Sequence, residues 1–368
     1  MYSQNDLDEA VAAGAISADS AAALRGFVET QRSLPGVDEE HFRLITGFND
    51  IFVSIASAIL LFAVGWIGQS IGQSMGLIVD HDGPSPLAPL AIAATAWGLA
   101  LFFTAKRRMA LPSIMLLLAF VGGIFAATAF ALALGVGDPP NQQEALIVGS
   151  IGAAAGAVAT GAAWLHWKRF HVPITVAAGA AAVAAIAVGL LIAAIGNVEN
   201  FEKPILGFVL LLGIGVFLFA MRWDSSDPAR VTRRSDVAFW LHLLAAPMIV
   251  HPVFTLLGLN DGTATIGEGL VVVALYVALG ITALAIDRRA LLVSALAYVL
   301  YALSELFKQV GAVELSIALT ALIIGSALLL LSAFWHQARS VVVHRLPAGL
   351  RAHLPNVDRL AAIPEPAA

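Results

Sequence analysis

The sequence contains no cysteine and few charged residues, and both absences narrow what the protein can be. A chain of 368 residues without cysteine has no disulfides, thiolate metal sites, iron–sulfur ligands or cysteine nucleophiles. Only 12% of its residues are charged and 59% are hydrophobic, whereas soluble domains carry about 25% charged residues. Together with a mean hydropathy of +0.87, this composition predicts that lipid rather than water surrounds most of the chain.

Motifs that would identify a reaction are also missing. The sequence has no Walker loop, dinucleotide-binding fingerprint, HExxH or nucleophile elbow, so we expect no cofactor, no metal and no catalytic residues, and an enzyme is not favoured. Its net charge is −5 and its basic residues form no broad patch, so we expect no nucleic-acid partner. The polar, acidic first fifty residues do not resemble a signal peptide, and we expect the first apolar segment to act as an uncleaved anchor.

Ten apolar segments predict an all-α fold, a polytopic transmembrane helix bundle of about ten spans. Most of these segments approach the roughly 20 residues that a helix needs to cross a bilayer. They form a predicted transmembrane domain over residues 47–336, with spans at 51–71, 88–104, 112–134, 145–166, 173–195, 205–221, 237–258, 269–286, 290–310 and 316–335.

Lys and Arg residues are distributed over the connections in a pattern that predicts the orientation. If the chain starts in the cytoplasm, every second connection is cytoplasmic, and these segments together contain 18 of the 20 basic residues. Only Lys203 and Lys308 fall outside them. Because cytoplasmic loops carry the Lys/Arg excess, the pattern predicts ten spans with both termini in the cytoplasm.

Two more polar segments flank the predicted bundle. Residues 1–46 predict a cytoplasmic helical hairpin and linker, in which Gly14 ends the first helix and Ser17 caps the second. A hairpin this short buries little area by itself, so we expect it to dock on the membrane domain, pair with another copy or bind a protein partner. Residues 337–368 are predicted to form a basic, partly amphipathic cytoplasmic tail on the anionic inner leaflet.

Ionisable residues inside spans are the best pointers to function, because each is costly unless it is paired or hydrated. The ninth span carries such residues at alternating steps of four and three, which places them on one helix face: Ser294, Tyr298, Tyr301, Glu305 and Lys308. In the functional interpretation, Glu305 binds a proton or cation in an outward-facing vestibule. In the structural one, Lys308 pairs with Glu305 near the interface while the tyrosines pack or anchor the helix.

The seventh span is unusual because it contains two histidines and two prolines. Pro247 and Pro252 each remove a backbone hydrogen bond and should kink the helix, and broken membrane helices usually line cavities. His242 and His251 are nine residues apart, so they point in nearly opposite directions on a straight helix and are no i,i+4 metal pair. Either histidine acts as a proton relay or forms an interhelical hydrogen bond as a neutral imidazole.

Other conspicuous residues are expected to serve structure. Gly152 and Gly156 form a GxxxG pattern in the fourth span, which favours close contact between helices. Asp236 is placed to cap a helix N-terminus. Asp287 neighbours the basic pair at 288–289, and we expect a structural role for it as well.

The N-terminal segment and two longer phrases carry a family resemblance. The relevant residues are Leu7, Gly14, Ile16, Ser17 and 21–24, followed by residues 41–56 and 233–254. They resemble uncharacterised bacterial predicted membrane proteins that begin with a short cytoplasmic helical domain. The resemblance implies a bacterial inner membrane and transfers no catalytic residues to this chain.

Two functions remain open at this point. The first is a small-solute or ion transporter or channel whose pathway is lined by polar residues of spans seven and nine: His242, His251, Tyr298, Tyr301, Glu305 and Lys308. The second is a non-transporting membrane scaffold or sensor that uses residues 1–46 as its contact with a partner. The first requires Tyr301, Glu305 and His251 to meet around a hydrated cavity, and the second predicts separate dry contacts.

Overall fold

The computed structural model describes residues 11–24, 48–79, 83–137, 140–141, 143–196, 201–227, 232–258, 265–309, 315–351 and 354. The side chains of residues 290, 294, 295, 305 and 309 lie outside that description. The chain divides into two units, of which the larger covers residues 43–357 and the smaller combines residues 1–42 with 358–368.

Within the smaller unit, the structure describes residues 11–24 only. Gly14 has a φ of +70°, a left-handed conformation that suits glycine where a helix stops. A helix covers residues 18–24, and the N–H of Ser20 donates to the Oγ of Ser17 over 3.0 Å. Ser17 therefore caps this helix, as its sequence position predicts, while the rest of the predicted hairpin lies outside the described residues.

The larger unit is built from helices, with no strand among its described residues. In chain order the helices are α1 Phe48–Ser74, α2 Leu87–Phe103, α3 Ala110–Val136, α4 Glu144–Phe170, α5 Ile174–Ile195, α6 Glu202–Ser225, α7 Arg233–Leu256, α8 Ile266–Ile286, α9 Ala290–Gln309, α10 Ser316–Ala333, α11 Trp335–His344 and α12 Ala348–Arg351.

These helices confirm the predicted fold class, an all-α polytopic membrane bundle. Nine of the described helices are long and apolar enough to cross a membrane. The remaining segment, α2, is equally apolar and has 17 residues, which is the lower end of the range for a span. Helices α1 to α10 coincide with the ten predicted segments, and large side chains such as Phe62 and Trp66 are exposed on their outer faces, as expected of surfaces in lipid.

Helix α7 is the most buried of the nine long apolar helices. It packs against α5, α6, α8 and α9, and it remains helical through Pro247 and Pro252. Val237 and Leu241 of α7 meet Ala177 of α5 and Ala220 of α6 in one buried cluster. The helix that the sequence singles out is therefore central to the bundle and is not interrupted at its prolines.

Helices α4 and α5 approach each other through glycines. A Cβ added to Gly149 would lie 2.5 Å from the carbonyl oxygen of Gly189, and one added to Gly156 would lie 2.9 Å from that of Ala182. Gly152, in contrast, has no atom within 4 Å of an added Cβ. The close contact predicted for these small residues therefore exists. The predicted GxxxG register is wrong, however: Gly149 and Gly156, seven residues apart, share the contact face, and Gly152 lies beside that face.

Candidate functional site

The end of α6 places one carboxylate inside the protein, and a second carboxylate just after α6 binds the residue that starts α7. Asp224 lies in the last turn of α6 and is 3% exposed. Asp227 accepts hydrogen bonds through Oδ2 from the N–H and hydroxyl of Thr232, at 2.9 and 2.6 Å. The hydroxyl oxygen of Thr232 in turn accepts a hydrogen bond from the N–H of Arg234 at 3.3 Å, so Thr232 is the N-cap of α7.

The cap predicted at Asp236 is therefore wrong. Asp236 lies in the first turn of α7, after the capping residue Thr232. A carboxylate in the first turn still favours the helix because it meets the positive end of the helix dipole.

The turn between α8 and α9 brings an arginine into the bundle. Helix α8 ends at Ile286, and Asp287 adopts a left-handed conformation with a φ of +58°. The N–H of Arg288 then donates to the carbonyl of Ala283 over 2.8 Å, which closes the end of the helix. The chain reverses within this turn, and the Arg288 side chain is 3% exposed.

Arg288 binds both oxygens of the Asp224 carboxylate. Its Nε donates to Oδ2 over 3.2 Å, and its Nη2 donates to Oδ1. The same Nη2 also contacts Ser235 of α7, at 3.1 Å from the carbonyl oxygen and 2.9 Å from Oγ. This bidentate arrangement is the geometry in which an arginine–carboxylate pair is strongest and most specific.

His242 completes the set. Its Nε2 lies 3.0 Å from Oδ2 of Asp224, and the residue is fully buried. It follows Ser235 by seven residues, so both face α6 from the same side of α7. An ionised carboxylate can only accept, so Nε2 carries the hydrogen and donates it. We refer to Asp224, Ser235, His242 and Arg288 as the buried ionic network.

The buried ionic network joins α6, α7 and the α8–α9 turn. The carboxylate of Asp224 and the guanidinium of Arg288 balance each other's charge, and their hydrogen bonds offset the cost of removing both from water. The His242–Asp224 contact is also one across which a proton can be held or moved. Chemically, the network is thus suited either to tying helices together or to proton exchange.

Helix α11 is fixed to the same turn by Asp287. The indole Nε1 of Trp335 donates to Oδ1 of Asp287 over 2.6 Å, and Nε of Arg339 lies 3.8 Å from the same oxygen. The guanidinium of Arg289 lies over the Trp335 ring, 4.9 Å from its centroid. The start of the predicted tail is therefore packed on the protein through Arg339, next to Trp335 at the end of the preceding predicted span, while the predicted contact of the tail with the leaflet stays a prediction.

The other predicted pathway residues lie elsewhere. His251 is exposed, with its ring 5.9 Å from that of Tyr298. The ring of Phe254 is 5.2 Å from Tyr298 and 5.5 Å from Tyr301. We refer to His251, Phe254, Tyr298 and Tyr301 as the aromatic cluster.

Two further predicted residues, Lys308 and Glu305, belong to α9. Lys308 is exposed in the last turn of the helix. Glu305 belongs to α9, but its side chain lies outside the described part. The predicted pairing of these two residues therefore stays a prediction.

The two groups of predicted residues are separate within the described part of the chain. His242 belongs to the buried ionic network, whereas His251 lies nine residues further along α7, or about 13 Å at 1.5 Å per residue. The gap beside Tyr298, which Val250 and Tyr276 also line, has no space for a water molecule. The described residues thus form two separate sets of contacts, and the sequence did not indicate Asp224 or Arg288 as functional residues.

A second buried histidine lies in the first half of the bundle. His166 of α4 is fully buried, with Nδ1 3.2 Å from the hydroxyl of Thr175. Its ring packs among Trp97, Phe120 and Phe170, with centroids 4.6 to 6.2 Å away. Its Nε2 has no hydrogen-bond partner in the described part of the chain, so this site is aromatic and uncharged.

No protein-family model, curated protein or solved structure matches this chain. The resemblance to bacterial membrane proteins with a short helical N-terminal domain therefore stays an expectation from the sequence.

Proposed function

We propose that this chain is a non-transporting scaffold or sensor of the bacterial inner membrane, with both termini in the cytoplasm. Its helical bundle anchors residues 1–46, which contact a protein partner or a second copy of the chain. The carrying observation is that His242 is held by Asp224, away from the cluster of His251, Tyr298 and Tyr301, and that the gap beside Tyr298 has no space for water.

The contacts of α7 support this proposal. His242 and Arg288 both donate hydrogen bonds to the carboxylate of Asp224, so these polar groups bind one another. His251 and Tyr298 pack at an exposed aromatic surface instead, next to a gap that excludes water. A transport pathway needs polar side chains around a wet cavity, whereas polar groups that bind one another across helices fit a bundle whose role is to hold a shape.

The charge distribution supports the proposed orientation. Basic connections alternate with acidic, turn-rich ones along the sequence, as expected when the Lys/Arg-rich side faces the cytoplasm. Reporter fusions at each connection test this directly. A reporter that is active only in the cytoplasm should be active when fused in the connections at 105–109, 168–172, 226–232 and 287–289. It should be inactive when fused at 137–143 or 197–201. The reverse pattern would overturn the proposed orientation.

Function is tested by combining reconstitution with a truncation. Proteoliposomes of the full chain should show no flux of protons, cations or small organic solutes above empty vesicles. Deletion of residues 1–40 should remove co-purifying partners or self-association while the bundle still folds. Flux that Glu305→Gln or His251→Ala abolishes would contradict the proposal, and so would a deletion that leaves both the interactions and the cellular phenotype unchanged.

A proton-coupled transporter is the second candidate, and the contact between His242 and Asp224 favours it. A histidine against a carboxylate inside a membrane bundle is a common arrangement in proton relays. The two candidates differ in the behaviour of His242→Gln, which keeps one hydrogen-bond donor but cannot titrate. Under the scaffold proposal this variant retains its partner interactions at every pH, whereas the transporter would lose pH-dependent flux.

A further inference from the structure

A cavity opens between α8, α9 and α10 next to the end of the bundle where the α8–α9 turn and α11 lie. Its volume is about 160 Å³, and its walls are mainly apolar: Leu292, Val293, Leu296, Leu328 and Leu331. Val293 and Ser332 on its rim are exposed, so the cavity is accessible from the side of the bundle. A dry apolar cavity of about 150 Å³ is large enough to hold a hydrocarbon ligand.

The depth of the cavity matches one leaflet of a bilayer. It reaches from Arg289 and Trp335, at the end of the bundle, to Tyr276 in the middle of α8. Tyr276 precedes the end of α8 by ten residues, which is about 15 Å along the helix axis. Half of a hydrocarbon core of about 30 Å is the same length, so an acyl chain of that leaflet can lie along the cavity.

The rim of the cavity carries groups suited to a phospholipid head group. The guanidinium of Arg289 lies over the Trp335 ring at 4.9 Å from its centroid, which fixes a positive charge at the opening. Ser332 adds a hydroxyl on the opposite wall. Arginine and tryptophan at the level of the head groups are typical of membrane interfaces and of anionic-lipid contacts.

We propose that the cavity between α8, α9 and α10 binds one anionic phospholipid, with an acyl chain along Leu292, Leu296 and Leu328 and the phosphate at Arg289. Charge at the opening and an apolar interior favour a lipid over a soluble ligand, and Arg289 favours an anionic head group over a zwitterionic one. The lipid links α9 and α10 to the turn that holds α11.

Native mass spectrometry of the purified full chain in detergent tests the site, with phosphatidylglycerol and phosphatidylcholine of identical acyl chains as probes. We expect phosphatidylglycerol to be retained about fivefold better, which corresponds to one arginine near a head group. Arg289→Gln should bring the ratio close to one. Arg222→Gln is the matched control, because this exposed arginine lies at the end of α6, outside the cavity, and it should leave the ratio unchanged.

The apolar half of the site is tested by filling it. Leu296→Trp should lower retention of both lipids at least about fivefold, and Val293→Trp, on the exposed rim, is the second variant if the first does not fold. Inorganic phosphate should not compete with either lipid. Equal retention of the two lipids, unchanged binding in the filled variant, or displacement by phosphate alone would each overturn the proposal.

Discussion

His166 and His242 are both completely buried, yet their surroundings differ in kind. His166 lies among Trp97, Phe120 and Phe170, with one hydrogen-bond contact to a threonine. His242 contacts a carboxylate that an arginine also holds. The two histidines are equally buried, but His166 is part of an uncharged aromatic packing site in the first half of the bundle. His242 is part of the buried ionic network in the second half.

The comparison shows that burial by itself does not reveal what a polar residue does in a membrane protein. In the first half, α4 and α5 are joined by close backbone approach at Gly149, Gly156 and Gly189. In the second half, α6, α7 and the α8–α9 turn are joined by opposite charges. The second kind of joint is more sensitive to losing one partner, because the partner left behind keeps a buried charge.

Removing the Asp224 carboxylate should have the largest effect. Asp224→Ala leaves Arg288 buried without its counter-charge and should lower the free energy of unfolding by about 3–5 kcal/mol. Unfolding in mixed micelles measures this. Glu202→Ala, an exposed carboxylate in the first turn of the same helix, is the control and should cost at most about 1 kcal/mol, the effect of a charge at an exposed helix N-terminus. Equal effects of the two variants would show that the network contributes no stability.

Replacing His242 should come next. The ring of His242 lies 5.3 Å from that of Phe217. His242→Phe keeps an aromatic ring there but removes one donor to the Asp224 carboxylate, which should cost about 1.5–3 kcal/mol. The same unfolding measurement applies. An unchanged free energy of unfolding would mean that Arg288 alone satisfies Asp224.

The glycine contact between α4 and α5 should tolerate a substitution at Gly152 but not at Gly149. The Cβ of Gly149→Ala would lie 2.5 Å from backbone atoms of α5, so the helices must separate, at a cost of about 1–3 kcal/mol. Gly152→Ala adds its Cβ where no atom lies within 4 Å and should be neutral or stabilising, since alanine favours a helix by about 1 kcal/mol. If both variants behave alike, α4 and α5 do not meet through this face.

His166 should be the least sensitive of these residues. His166→Phe replaces one ring with another among Trp97, Phe120 and Phe170 and loses one hydrogen bond to Thr175, which is worth about 0.6 kcal/mol between membrane helices. Thermal unfolding of His166→Phe and His242→Phe side by side compares the two sites. A larger loss for His166→Phe would reverse the comparison.

The sequence predicted the helices well because the information for them is local. Ten apolar segments and the basic turns between them follow from hydropathy alone, and α1 to α10 begin and end close to the predicted limits. The buried ionic network could not be predicted in this way. Arg288 and Asp224 are 64 residues apart, and nothing in the neighbourhood of either residue indicates the other.

Helix faces were predicted less well than helix positions. His242 and His251 were expected on different sides of α7, and one is buried while the other is exposed. The partners of His242 depend, however, on how α6 and the α8–α9 turn pack against it. The glycine register failed for the same reason, because Gly149 and Gly152 look equivalent until the position of α5 is known.

A double-mutant cycle on Asp224 and Arg288 tests the central claim most directly. The free energy of unfolding is measured for the parent chain, Asp224→Ala, Arg288→Ala and the double variant in the same lipid mixture. If the buried ionic network ties the helices together, the double variant should be more stable than the sum of the single losses predicts, with a coupling of about 2–3 kcal/mol. Losses that add to within about 0.5 kcal/mol would contradict this account.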